Sequence, residues 1–149
     1  VSIFLLSALV FLIDGVVKRQ LEAHLALSQS IPLLPNILHI TLVHNTGSAM
    51  GLWQGKNSFF AFISAIATVA FIGFFWRYSR TSRLLRICCG LILGGAFSNL
   101  FDRFYYKYIV DYIDIRIWPV FNLSDSCITV GFALILWYTF TKNKREKAG

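Results

Sequence analysis

Two aspartates stand apart from the other acids of this sequence. Asp111 lies in Val110-Asp111-Tyr112-Ile113, on the side of an alternating segment otherwise taken by Ile113, Ile115 and Ile117. Asp125 follows Asn122 and Ser124 at the start of a long apolar stretch. Desolvation among isoleucines drives a carboxyl toward its protonated form. A carboxylate in the first turn of a helix is instead favoured in its ionised form, by about 0.3–1 kcal/mol. That placement also permits a bland reading of Asp125 as a helix-start acid. Two acids pushed in opposite directions mark an acid–base pair. If they meet, they share one proton. The ionised member deprotonates a water, and the protonated member polarises a scissile carbonyl.

Other polar residues gather near the same region. Asn99 and Arg103 are one helical turn apart and point where the acids collect. Asp14 and Lys18 have the spacing and order of a helical ion pair, which reads as structural. Asp114 can pair with Arg116 on the other face of the Asp111 segment. Competing chemistries lack their parts. His24, His39 and His44 all lie in one segment, and neither G-x-S-x-G nor H-E-x-x-H occurs. No metal site is expected. Cys88, Cys89 and Cys127 lie in apolar runs without metal-ligand spacing and read as packing residues.

The elements that must position these groups are membrane helices. Only 14% of the 149 residues are charged and 56% are hydrophobic, against about 25% charged in soluble domains. A spanning helix needs about 20 apolar residues. Asn57–Trp76, Leu84–Phe101 and Leu123–Thr141 qualify, while 1–17 is shorter and carries Asp14. That first run shows no basic leader and no small-x-small site, so a retained span is expected. A few residues are expected to precede it, since the sequence begins without Met. The result is one membrane α-helical domain, 1–149, with four transmembrane helices.

The net charge of +7 is set by topology. Arg77, Arg80, Arg83 and Arg86 form one basic cluster, and Lys142, Lys144, Arg145 and Lys147 another. Both flank spans on one side, which the positive-inside rule makes cytoplasmic, with both termini there. Asp14, Glu22, Asp102, Asp111, Asp114 and Asp125 fall at the opposite, outer ends. No basic stripe with interleaved aromatics indicates nucleic acid. Two outer segments, Asn36–His44 and Ile109–Trp118, have strand character and predict a small extracytoplasmic sheet resting at the interface or on the helices.

Five blocks of residues resemble lipoprotein signal peptidase (signal peptidase II). They are Asp14-x-x-x-Lys18, His44-Asn45-Thr46-Gly47-Ser48-Ala49, the run from Gly94 to Arg103, Val110–Ile113, and Phe121–Ser126. They occur in the family's order across nearly the whole chain. Met50, Ser98 and Ser124 depart from its usual aromatic, glycine and alanine. The resemblance implies four transmembrane helices with an outer β-cradle and a mobile periplasmic helix or loop, in the bacterial inner membrane. It implies aspartyl hydrolysis of the bond before the diacylglyceryl-cysteine of a prolipoprotein, without a cofactor, and inhibition by globomycin. Asp111 and Asp125 match its catalytic pair. Asn45, Asn99, Arg103 and Asn122 match substrate-holding or dyad-steadying positions, and Asp14, Lys18 and Asp102 match polar supports. Prolipoprotein and membrane lipid are the implied partners, and a monomer is expected. A small transporter with Asp14, Asp111 and Asp125 relaying ions is the main alternative, but neither internal repeats nor broken midplane helices are visible. A non-enzymatic membrane scaffold is the other, and it leaves the converging acids unexplained.

Overall fold

Apolar runs separated by polar outer segments fold as helices joined by strands. A computed structural model describes residues 2–47, 55–78 and 82–146, with backbone alone at 74–78 and 143–146. The described chain forms α1 (Ile3–His24), β1 (Ser30–Leu34), β2 (Leu38–Asn45), α2 (Asn57–Tyr78), α3 (Arg83–Tyr105), β3 (Ile109–Asp114) and α4 (Leu123–Glu146). Ser48, Ala49, Met50, Arg80 and Lys147 lie outside the described residues.

α3 is the axis, packed against α1, α2 and α4. Its glycines permit this. A methyl on Gly94 would lie 2.7 Å from the Ser7 carbonyl oxygen of α1, and one on Gly95 2.5 Å from the Ser124 carbonyl oxygen of α4. Phe71, Leu85, Cys88, Cys89, Ile92 and Ile135 fill an apolar core, so two of the cysteines pack as expected.

Polarity is inverted relative to a soluble bundle. Asp14, Lys18, Asn122 and Ser124 have no exposed surface, whereas Phe4, Leu5, Val16, Phe62, Val69, Trp137 and Phe140 are each more than half exposed. Such an apolar exterior suits a lipid solvent. α3 and Leu123–Lys142 of α4 are long and apolar enough to cross a membrane, and Asn57–Gly73 of α2 is a shorter apolar stretch.

The outer sheet has the antiparallel order β1-β2-β3. β1 was not expected. Its Pro32 demotes the run to loop or edge strand, and it takes the edge. β3 ends at Asp114, short of the expected Trp118, because Arg116 adopts a φ of 65° and turns the chain. The expected division of β3 into a buried and a cheaper face is also absent, since Val110, Asp111, Tyr112 and Asp114 are all buried. β3 lies against α1 and α3 on the helix ends. Its outer edge is occupied by Phe121, which bridges Ile113 and brings the chain back to the start of α4.

Candidate active site

That return sets Asn122 beside β3. Asn122 is the N-cap of α4: its Oδ1 accepts from the Asp125 backbone N–H at 2.9 Å, and its own N–H donates to Asp125 Oδ2 at 3.2 Å. This reciprocal arrangement is a capping box. The Asn122 Nδ2 donates to Asp111 Oδ1 at 2.7 Å. One residue therefore anchors both aspartates.

Each carboxylate takes a second amide. Asn45 Nδ2 donates to Asp111 Oδ2 at 2.9 Å. Its sense is set by Gly47, whose N–H donates to Asn45 Oδ1 at 3.0 Å. Arg103 in turn clamps this turn, donating to the Gly47 carbonyl at 2.9 Å and to Asn57 Oδ1 at 3.3 Å. Asn99 Nδ2 donates to Asp125 Oδ1 at 2.8 Å.

Asp111 is buried. Burial first, and then the charge of Asp125, push its carboxyl up to about 7, against the opposing effect of the two amides. The open helix start expected around Asp125 is not what surrounds it. Asp125 is partly buried, with Asn99 of α3 and the Asn122 backbone on its carboxylate and with Asp111 and Asp14 close enough to interact with it. The pair is thus a coupled one, and its environments contrast less than the sequence pattern predicts.

Beneath the pair lies a polar hub. Asp14 Oδ2 accepts from Ser98 and Ser124, each at 2.6 Å, and meets Lys18 Nζ at 2.6 Å. Tyr112 donates to Asp14 Oδ1 at 3.3 Å and accepts from the Leu123 N–H at 3.2 Å. Burial, then Asp14, raises the Tyr112 phenol and keeps it a neutral donor. Asp14 so joins α1 to α3, β3 and α4. The departures from the family pattern at 98 and 124 are two hydroxyls on one carboxylate oxygen. Asp102 sits beside Lys18 at 2.8 Å and Arg19 at 3.3 Å.

Sequence reading also missed Asn57 and Tyr112. Asn57 carries no motif. The N-x-x-D spacing of Asn122 and Asp125 was a legible signal for the cap. Asp114 binds Arg116 at 3.0 Å as expected, and also Thr41 at 2.8 Å. Burial raises its carboxyl, but these hydrogen bonds win and hold it below the usual carboxylate range.

A cleft of about 280 Å³ opens from Asp125, Asn99 and Arg103 and runs between α2, α3 and α4 toward Phe71 and Phe132. Those two rings meet edge to face at 5.7 Å and narrow its far end. A larger groove of about 460 Å³ between α1 and α3 is walled by Phe11, Phe97, Phe101 and Phe104. It offers no acid or base.

An apolar-surfaced helix bundle with two amide-held carboxyl groups, one of them at the head of an apolar cleft, is the build of an integral membrane hydrolase. The chain belongs to the signal peptidase II family, whose pattern it matches over residues 6–141. It is 37% identical over 142 residues to the lipoprotein signal peptidase of Halothermothrix orenii, covering 95% of this chain and 97% of that one. It is 36% identical over 148 residues to the lipoprotein signal peptidase of Anoxybacillus flavithermus, covering 97% and 88%. A bacterial membrane enzyme solved at 2.3 Å superposes with a TM-score of 0.88 at 29% identity, covering 96% of this chain and 90% of that one. A second, solved at 1.9 Å, gives 0.82 at 30% identity, covering 92% and 91%.

Proposed function

We propose that the protein is an aspartyl endopeptidase of the bacterial inner membrane that removes the signal peptide of diacylglyceryl-modified prolipoproteins, cutting before the lipidated cysteine. The observation that carries this is the bridging of Asp111 and Asp125 by Asn122. Four spans, with both termini cytoplasmic, set this pair at the outer leaflet. The basic clusters and the outer position of six of the seven acids support that topology.

The chemistry follows from one shared proton. With Asp111 protonated and Asp125 ionised, Asp125 takes a proton from water as the water oxygen bonds to the scissile carbon. Asp111 passes its proton to the carbonyl oxygen, leaving a neutral gem-diol. Asp125 then protonates the amide nitrogen, Asp111 recovers a proton from a diol hydroxyl, and the C–N bond breaks. The products are an acid and an amine, and the pair returns to its starting state. Which aspartate holds the proton is a property of the pair. Arg103 and Asn45 hold the Asn45–Gly47 turn beside it, within reach of a substrate backbone. The apolar cleft suits the signal helix, while the acyl chains of the lipidated cysteine remain in lipid.

The test is mass spectrometry of a synthetic prolipopeptide incubated with the purified protein, with and without the diacylglyceryl group. A single cut before the lipidated cysteine, resistant to a chelator, is expected. A cut elsewhere, or loss of activity with chelator, overturns the reading.

A further inference from the structure

Lys18 is completely buried, and the reaction as described does not use its charge. Three oxygens stand close to Nζ: Asp14 Oδ2 at 2.6 Å, Asp102 Oδ2 at 2.8 Å and Asn99 Oδ1 at 3.0 Å. An ammonium has three N–H donors and no acceptor, and its hydrogen bond goes to the Asn99 oxygen while the two carboxylates balance its charge.

The contact with Asn99 settles which way that amide points. Its oxygen faces a group that only donates, and its NH2 faces Asp125 Oδ1, which only accepts when ionised. Turned over, the amide would present a donor to Lys18 and an acceptor to a carboxylate, and both contacts would repel. Asn122 Nδ2 also approaches Asn99 Oδ1, at 3.2 Å. It has two N–H bonds to divide among Asn99, Asp111 at 2.7 Å and the Val110 carbonyl at 3.4 Å. Asn122 alone is therefore a weak lock.

We propose that Lys18 is a positioning residue for peptide-bond hydrolysis, locking the Asn99 amide in the sense that donates to Asp125. It touches no substrate. The inference rests on the peptidase reading above. The competing role is a counter-ion that only neutralises Asp14 and Asp102.

Lys18→Met alone would strand buried carboxylates, so the informative comparison is Asp14→Asn/Lys18→Met against Asp14→Asn. The first removes one charge of each sign and leaves Asp102 to Arg19, and the second keeps the Lys18–Asn99 contact. Both are assayed for kcat, KM and the pH–rate profile on a lipidated prolipopeptide. The carboxyl groups are titrated in parallel by 13C NMR of aspartate-labelled protein. The double variant is expected to show kcat at least about tenfold lower, with KM changed less than about twofold. The acid limb of its profile moves to higher pH, because a cation favouring the ionised carboxylate has gone. Equal kcat and an unmoved acid limb overturn the proposal and leave Lys18 a counter-ion. Where the Met version does not fold, Asp14→Asn/Lys18→Gln takes its place, and an unmoved acid limb again overturns it. If the wild type cleaves nothing, the peptidase reading falls, and the carboxyl titration still decides whether Lys18 governs Asp125.

Discussion

Asn122 and Asp125 cap one another across the first turn of α4, through backbone N–H bonds of 2.9 and 3.2 Å. The same Asn122 reaches Asp111 at 2.7 Å. A device that ordinarily starts a helix here fixes the spacing of two carboxyl groups that the sequence separates by a strand and a turn.

Asn122 should therefore be separable into two roles. Asn122→Ser retains a capping oxygen, so its cap costs only a few tenths of a kcal/mol in stability, while Asn122→Ala loses about 1 kcal/mol with the cap. Both also lose the donor to Asp111, and the buried acceptor left unmet costs each about 1–3 kcal/mol more. Cleavage should fall at least about tenfold in both. Thermal unfolding in detergent, measured beside the rate, checks the split; a Ser variant with wild-type activity would show that the cap alone matters.

Little of this was hidden. Asp111 and Asp125 were legible because an acid among isoleucines, or inside an apolar run, is costly enough to require a reason. The structure brings Asn45, Asn99, Arg103 and Asn122 to the same pair, and Asp14, Lys18 and Asp102 below it. β1 was not legible, since Pro32 argues against a strand and only the pairing Ile31–Ile40 supplies one. The hub at Asp14 was invisible for a different reason. Ser98, Tyr112 and Ser124 come from α3, β3 and α4, and no local periodicity links them.

The pH dependence carries a defined sign. The Asp111 carboxyl is pushed up to about 7, so it holds its proton below that pH and loses it above. With both carboxylates ionised, the pair has no proton for the carbonyl. We expect kcat/KM, which reports the free enzyme, to fall on the alkaline side with a midpoint near that value. A rate that keeps rising through pH 9 would contradict the shared proton.

Asp114 supplies the contrast. Its carboxyl is held below the usual range by Thr41 and Arg116 after burial is overcome, so the ionised form belongs to the folded state. The stability it contributes is present above the unfolded carboxylate value of about 3.9 and is lost as pH falls through the lower folded value. Asp114→Asn should flatten the wild-type loss of thermal stability on acidification. Cleavage at neutral pH should stay within about threefold of wild type, less than the loss of one net hydrogen bond. A larger loss would mean that Asp114 belongs to the reacting groups.

Gly95→Ala tests how tightly the helix start is held. The added methyl would lie 2.5 Å from the Ser124 carbonyl oxygen and 3.0 Å from Ile128. Overpacking of this kind costs about 1–3 kcal/mol, and backbone cannot swing aside as a flexible side chain does. The expected outcome is a lower melting temperature together with slower cleavage, since α4 carries Asp125. Wild-type values of both would show that the two helices slide freely.

The most direct measurement is cleavage of a lipidated prolipopeptide by Asp111→Asn and Asp125→Asn, each purified and shown by circular dichroism to remain helical. Both should yield no product at enzyme concentrations where the wild type completes the reaction. Substantial turnover by either folded variant would contradict the aspartate pair.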